Sequence, residues 1–277
     1  MNVYRCSVHT HTTFCDGRST VEEMAASAWA KGVRYYGFSG HSHTPVPHDR
    51  ENVMPADLTA YRQELLRLRQ VYEDRMEILL GIEQDSQTEE AVPDFADYWI
   101  GSVHNLYDPA HDEYHAMDWT AEKLERCRDR MFHGDALALA EGYFRDVGEM
   151  AERRPTILGH IDLITKLNGE GRIFDETAPR YRAAALGALH RADPEKTLLE
   201  INTGAISRGY RTVPYPALFL LREWRSMGGQ VILTADAHHA HHVIFGYAQA
   251  AELAEAAGFR HGVVLTRKGW QEADLHP

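Results

Sequence analysis

The sequence places two histidines directly after an apolar run near its N-terminus. His9-Thr10-His11 follows the apolar residues 3–8. In a β-strand, residues i and i+2 point to the same face, so one metal ion could take an imidazole from each histidine. A His-x-His pattern alone is weak evidence, because most histidines in proteins are structural or solvated. The interpretation therefore depends on whether other potential ligands occupy equivalent positions along the chain.

Further histidines and carboxylates do occur where later apolar runs end. The candidate ligands are all imidazoles or carboxylates, and they are His9, His11, Asp16, His41, Glu83, His104, His160, Asp236 and His238. Because the set contains no cysteine, it suits Zn, Mn or Fe rather than a structural thiolate site. These nine candidates exceed the need of one ion and are enough for two or three, with a carboxylate bridging a pair.

The apolar runs alternate with helical patterns along the whole chain. Strands are predicted at residues 3–8, 33–40, 76–85, 97–104, 156–160, 197–204 and 230–238, with a short one at 262–267. A capping box at Thr20 and Glu23 predicts a helix that ends at Gly32. Further helices are expected from about Asp57, then over 120–153, 176–190, 214–229 and 247–257, and a polar loop is expected at 108–119.

This alternation, with mostly short connections, is typical of a parallel sheet with crossover helices. An open, doubly wound sheet would normally bind its ligand at a single topological switch point. The candidate ligands instead follow six of the seven main strands. Because only a closed barrel brings six strand ends to one place, the pattern favours an α/β barrel with its site at the C-terminal ends of the strands.

Composition limits the classes of partner. The 277 residues carry a net charge of −12, which argues against a nucleic-acid surface and against an anionic membrane. An anionic substrate would need local cations, which bound metal ions could supply. The three cysteines show no CxxC spacing, and we find neither a signal sequence nor a membrane span, so a cytoplasmic location is expected. We find no linker and expect a single domain over 1–277; the oligomeric state is not readable.

Seven motifs occur in order between about residues 7 and 240: HTHTTFCDG, GHSH, GIE, GSVH, GHIDLITK, EINTG and TADAH. This series resembles the polymerase-and-histidinol-phosphatase (PHP) superfamily, and most of all its histidinol-phosphatase branch. The resemblance implies a distorted (β/α)7 barrel that holds two to three divalent metal ions at the C-terminal face.

The resemblance also implies a ligand assignment. The first ion would take His9, His11, Glu83 and Asp236, with Glu83 bridging to a second ion held by His104 and His160. The third would take His41, His238 and a residue of the loop after the histidine pair. Two positions depart from the pattern. The loop residue is Asp16 where several histidinol phosphatases have histidine, and Gly40 stands where many superfamily members carry an aspartate.

The implied reaction is hydrolysis of L-histidinol phosphate to L-histidinol and phosphate in histidine biosynthesis, by a metal-bridging hydroxide. Arg208 is the first choice to grip the phosphate, because a guanidinium can bind phosphate bidentately. Lys166, Arg211 and His43 are further candidates for substrate contacts. Asp236 and His238 are candidates to protonate the leaving group, although metal ions could occupy both.

Two other functions stay open from the sequence. A phosphoesterase of the same superfamily could act on another small phosphomonoester or on a nucleotide, because metal and phosphate contacts are shared and specificity lies in loops. The candidate specificity loops are residues 43–56, 105–119 and 205–214. A non-catalytic metal-binding regulatory module is the alternative from another class.

Overall fold

The computed structural model describes residues 1–52 and 58–277. The described residues form eleven strands: β1 Cys6–Ser7, β2 Tyr35–His41, β3 Glu77–Asp85, β4 Tyr98–Ser102, β5 Asn105–Asp108, β6 Glu113–Ala116, β7 Ile157–Leu158, β8 Leu198–Asn202, β9 Val231–Thr234, β10 His261–Thr266 and β11 Gly269–Asp274. They also form nine α-helices: α1 Val21–Ala30, α2 Pro47–Asn52, α3 Leu58–Val71, α4 Ala121–Met131, α5 Ala136–Glu152, α6 Pro179–Leu189, α7 Gly204–Ser207, α8 Leu218–Ser226 and α9 Tyr247–Ala257.

Seven of the strands make one parallel sheet in the order β1-β2-β3-β4-β7-β8-β9. The first and last strands meet just beyond their ends, where Thr10 and Ala237 form a parallel bridge. The Ala237 carbonyl accepts from the His11 N–H at 2.9 Å, and the His9 carbonyl accepts from the Ala237 N–H at 3.1 Å. The barrel is distorted because β1 and β7 have only two residues each, so their pairing with neighbouring strands is short. The predicted distorted (β/α)7 barrel is confirmed.

The buried side chain of Tyr98 packs against the neighbouring strands. Its hydroxyl shares its one proton between the carbonyl of Val8 at 2.5 Å and that of Phe38 at 3.2 Å. Its ring lies so close to the neighbouring strands that a Cβ on Gly37 or Gly81 would come within 2.3 Å of a Tyr98 atom. The two glycines are therefore required by close approach, as expected for glycine inside a strand.

The predicted capping box is present at the start of α1. The Glu23 N–H donates to the Thr20 hydroxyl at 3.2 Å, and the Thr20 N–H donates to the Glu23 carboxylate at 2.8 Å. The chain turns at Gly32 with a φ of +85°. This helix fixes the path from the first strand to the second.

Other predicted boundaries are wrong. The helix expected over 120–153 is two helices, because His133 and Gly134 adopt φ values of +51° and +85° and Asp135 then caps α5. The expected polar loop at 108–119 contains β6, which pairs with β5 in an antiparallel hairpin. The short strand at the C-terminus has an antiparallel partner, β11. The fifth main strand stops at Leu158, before His160. The predicted helix start at Asp57 lies outside the described residues.

A single core cluster of buried apolar side chains runs from Val3 to Leu275. Within residues 1–52 and 58–277, no helix combines the length and the apolar character that crossing a bilayer requires.

Candidate metal centre

The predicted ligands converge at the C-terminal ends of the barrel strands. His9 and His11 follow β1, His41 ends β2, and Glu83 lies in β3. The ligands from later in the chain follow β4, β7 and β9 in the same way, and they are His104, His160, Asp236 and His238. Seven of the nine candidates line one cavity of about 750 Å³, and the first histidine pair is buried beneath it.

Glu83 lies at the centre of the cluster. Its Oε2 is 3.2–3.3 Å from a ring nitrogen of each of three histidines, which are His9, His11 and His41. Its Oε1 is 3.1–3.4 Å from the Nε2 atoms of two others, His104 and His160. The two oxygens of one buried carboxylate thus face two separate sets of imidazoles, which is the arrangement that a bridging ligand needs.

Asp236 closes the cluster from the other side. Its Oδ1 lies 3.4–3.6 Å from the Nε2 atoms of His9 and His11, while its Oδ2 accepts from Arg208 at 3.0 Å. The residue has a φ of +46°, a conformation that non-glycine residues rarely adopt and that clusters at functional sites. Gly204 permits this position, because a Cβ there would lie 2.7 Å from Asp236.

Asp16, the least usual of the predicted ligands, is also part of the cluster. Its Oδ2 lies 3.2 Å from Nε2 of His238, and its Oδ1 lies 3.5 Å from His11 and 3.6 Å from His41. The loop reaches this position through a tight turn in which the Gly17 N–H donates to the Thr12 carbonyl at 3.0 Å. Asp16 therefore stands where the third predicted ion needs its loop ligand.

The donor set fits divalent ions. Several buried side-chain atoms have no hydrogen-bond partner among the described residues, and they include Nε2 of His9 and of His11, Oδ1 of Asp16 and Nδ1 of His160. Buried polar atoms without partners are costly and call for an explanation such as an ion. Among the described residues, four groups of potential ligands have donor atoms within 4.8 Å of one another: His11/Asp16/His41/His238, His9/Glu83/His160, His9/His11/Asp236 and His41/Glu83/His104. The cluster offers more imidazole and carboxylate groups than one ion needs, so it could bind more than one ion.

The same proximity shifts the pKa values of these groups. Burial alone would raise the pKa of Glu83, but neighbouring histidines such as His9 hold it well below its usual range. Burial opposes ionisation of Asp236 in the same way, and Arg208 and His9 outweigh it. Burial would lower the pKa of His9, yet Glu200, Glu83 and Asp236 raise it to about 10. Protons on the histidines therefore compete with cations for the same carboxylates.

Two buried carboxylates that the sequence interpretation missed contact the predicted ligands. Glu200 in β8 lies 2.5 Å from Nδ1 of His9. Asp85 at the end of β3 lies 2.9 Å from Nδ1 of His104 and accepts from the backbone N–H of that histidine at 3.1 Å. A carboxylate inside an apolar strand is itself a signal, because charged residues are almost never fully buried without a partner.

The predicted phosphate contacts divide into two classes. Arg208 and Lys166 line the cavity; Arg208 also donates to Nδ1 of His238 at 2.8 Å, and Lys166 pairs with Asp118 at 2.7 Å. Arg211 is not among the residues that line this cavity, and its guanidinium donates to the carbonyl and hydroxyl of Thr165. His43 is partly buried and is likewise not among the lining residues. The structure thus brings Arg208 and Lys166 to the site but not Arg211 or His43.

Two known proteins align with most of this chain. A "Probable histidinol-phosphatase" from Schizosaccharomyces pombe is 25% identical over 276 residues, covering 91% of this chain and 86% of the relative. The "Histidinol-phosphatase" of Bacillus subtilis is 25% identical over 262 residues, covering 86% of this chain and 95% of the relative.

A crystal structure of a histidinol phosphate phosphatase from Lactococcus lactis, complexed with Zn, L-histidinol and phosphate, shares the fold. Its TM-score is 0.68 at 18% identity, with 96% of this chain and 99% of that chain covered. The family model described as "PHP domain" matches residues 7–204, which include the predicted ligands from His9 to His160. The chain belongs to the PHP domain family.

Proposed function

We propose that this chain is a metal-dependent phosphomonoesterase that hydrolyses L-histidinol phosphate to L-histidinol and phosphate. The observation that carries the proposal is Glu83, whose two carboxylate oxygens face two sets of histidines at the floor of a cavity of about 750 Å³. Relatives named histidinol-phosphatase that align over most of their length support the choice of substrate.

The proposed ligands are the nine residues predicted from the sequence. Glu83 would bridge, and Asp236 would complete the shell that contains His9 and His11. Asp16 would join His41 and His238 around a further ion. Bound divalent ions would polarise the phosphoryl oxygens and lower the pKa of water, which is the chemistry that phosphomonoester hydrolysis needs.

Arg208 would hold the phosphate. It lines the cavity, and a quarter of its side chain is exposed. Its two terminal nitrogens donate to Asp236 and His238, so the same guanidinium would orient proposed metal ligands and bind the phosphate through its remaining terminal N–H groups. Lys166 is held by Asp118 and would contribute a second cation at the cavity wall.

The remainder of the substrate would lie against the specificity loops predicted from the sequence. All three loops contribute to the cavity lining, with Asp49 from the first, Asp118 and Trp119 from the second and Tyr210 from the third. Residues 53–56 of the first loop lie outside the described residues. Carboxylates could bind the substrate ammonium, and the aromatic rings could pack on its imidazole. A small amino phosphomonoester therefore suits this wall better than a simple alkyl phosphate.

The test compares kcat/KM for histidinol phosphate with kcat/KM for a panel of other phosphomonoesters, using protein loaded with Zn or Mn. We expect a preference above about tenfold, which corresponds to about 1.4 kcal/mol. A smaller preference would favour a phosphoesterase of other specificity. Protein that holds metal but turns over no phosphomonoester would favour a non-catalytic module. The variant Glu83→Gln controls for contaminating phosphatases, since it removes the proposed bridging charge.

The proposal includes a single domain over residues 1–277, which the continuous core from Val3 to Leu275 supports. It also includes the cytoplasmic location expected from the sequence, with which the three unpaired cysteines are compatible.

A further inference from the structure

Glu200 is a fully buried carboxylate, with 0% of its surface exposed, in the middle of β8. Its Oε1 lies 2.5 Å from Nδ1 of His9 and accepts from the Thr234 hydroxyl at 2.6 Å. Its Oε2 accepts from the backbone N–H of His160 at 2.6 Å and from the side-chain amide of Asn202 at 3.0 Å. One side chain therefore ties together the segments that follow β1 and β7.

These contacts determine how His9 can act. An ionised carboxylate only accepts hydrogen bonds, so the Nδ1 of His9 must carry a proton to bond to Glu200. When His9 is neutral, its Nε2 is then the atom with the free lone pair. That atom lies 3.3 Å from Glu83 and 3.6 Å from Asp236, among the proposed metal ligands.

We propose that Glu200 is a positioning residue for the metal centre: it fixes the tautomer of His9 and the backbone of His160, and thereby sets the affinity for divalent ions. The inference rests on the metal ligation proposed above. It concerns two of the four ligand groups, His9/Glu83/His160 and His9/His11/Asp236, which share His9. The group His11/Asp16/His41/His238 contains neither of the residues that Glu200 contacts.

Glutamine cannot replace this carboxylate. If the amide oxygen of Gln faced His9 and the Thr234 hydroxyl, its NH2 would face two donors, the His160 N–H and the Asn202 amide. If the amide were reversed, its NH2 would face Nδ1 of His9, which would have to accept. The proton would then move to Nε2 and block that atom from ligation. Both orientations therefore disturb one of the two histidines.

The experiment measures Zn affinity of Glu200→Gln by competition with a chromophoric chelator, together with the absorption spectrum of the Co(II)-substituted protein. We expect the affinity to fall about 10- to 100-fold, as is typical when the hydrogen-bond partner of a ligating histidine is lost. The Co(II) spectrum should change as well, because the coordination of the ion changes. The control is Thr234→Val, which removes one donor to the same Oε1 but keeps the carboxylate, so a smaller loss is expected.

A Zn affinity of Glu200→Gln within twofold of wild type, in folded protein, would overturn the proposal. If the variant does not fold, nitrogen-15 NMR of the wild-type Zn protein tests the proposal instead. We expect His9 to carry its proton on Nδ1, and a proton on Nε2 would refute the positioning role of Glu200. Neither readout uses substrate. Weakened metal binding in a protein without histidinol-phosphate turnover would therefore refute the proposed function and leave the role of Glu200 standing.

Discussion

Replacing Arg208 with methionine should destabilise the metal-free protein far more than the metal-loaded protein. Arg208 donates to Oδ2 of Asp236 at 3.0 Å and to the carbonyl of the same residue at 3.3 Å. The side chain of Asp236 is 7% exposed and that of Arg208 is 25% exposed. Methionine keeps most of the apolar stem and removes the charge together with the hydrogen bonds to Asp236 and to Nδ1 of His238. The change therefore leaves a buried carboxylate without its cation.

Removing one partner of a buried ion pair costs about 3–5 kcal/mol. Because Arg208 is a quarter exposed, we expect the lower end of that range, roughly 3 kcal/mol. For a chain of this size the change corresponds to a fall in Tm of about 6–12 °C. Bound divalent ions would place positive charge beside the same carboxylate, so the difference in Tm should shrink when metal is present.

The stabilising contribution of Asp236 in the wild-type protein should not vary with pH near neutrality. Burial would raise the pKa of Asp236 from 3.8, but Arg208 and His9 hold it well below that value. A group with a lowered folded-state pKa contributes stability above its unfolded pKa, and that stability is lost only as the pH falls through the folded pKa. The wild-type contribution of this carboxylate is therefore complete between about pH 6 and 8.

Thermal unfolding followed by circular dichroism measures the fall in Tm that Arg208→Met causes. The measurement is made once without Zn and once with Zn. Arg222→Met is the matched control, because Arg222 is exposed and, among the residues that the structure describes, donates a hydrogen bond only to the carbonyl of Ala256, at 3.4 Å. That change should cost less than about 0.5 kcal/mol. A loss below about 1 kcal/mol for Arg208→Met in metal-free protein, or an equal loss with Zn bound, would refute the reasoning.

Three further predictions concern the ions and the barrel interior. Asp16→Asn should lower the amount of bound metal by about one ion per chain, because the amide lacks the negative charge that faces His41 and His238. Elemental analysis measures this number, and an unchanged metal content would exclude Asp16 as a ligand. Gly81→Ala should lower the free energy of unfolding, measured in urea, by about 1–3 kcal/mol, because the new Cβ would clash with Tyr98. The control Gly187→Ala on α6, where the space around the new Cβ is open, should not lower it. Zn affinity should rise as the pH rises towards 10, because the raised pKa of His9 means that a proton competes with the ion for this imidazole. A Zn affinity that does not change with pH in a chelator competition would contradict this.

The sequence was sufficient to predict the barrel and to place the candidate ligands at the ends of its strands. Strand ends can be read locally, because an apolar run and the polar residue that ends it are neighbours in the chain. Parallel strands then bring their C-terminal ends to one face whatever the loops do. His41 and Glu83, for instance, are paired partners in adjacent strands, so their proximity follows from the strand order and the register.

The helix break and the hairpin were missed for different reasons. Gly134 and the cap residue Asp135 are a local signal of one helix ending and another beginning, but the apolar pattern on both sides resembles one long helix. The segment of β5 and β6 is polar enough to resemble a loop, yet its strands satisfy each other's backbone hydrogen bonds. Local composition cannot distinguish such a hairpin from a loop.

Residue type and spacing thus determined which atoms could bind metal, while side-chain direction was decided only by the tertiary structure. Arg208 and Arg211 are three residues apart in one loop, but one contacts Asp236 and the other contacts Thr165. Glu200 becomes important only because β8 places its carboxylate against His9, 191 residues earlier in the chain. The physical reason is that a buried charged side chain must point towards a partner of opposite charge or a hydrogen-bond partner, and folding decides which partner lies within reach.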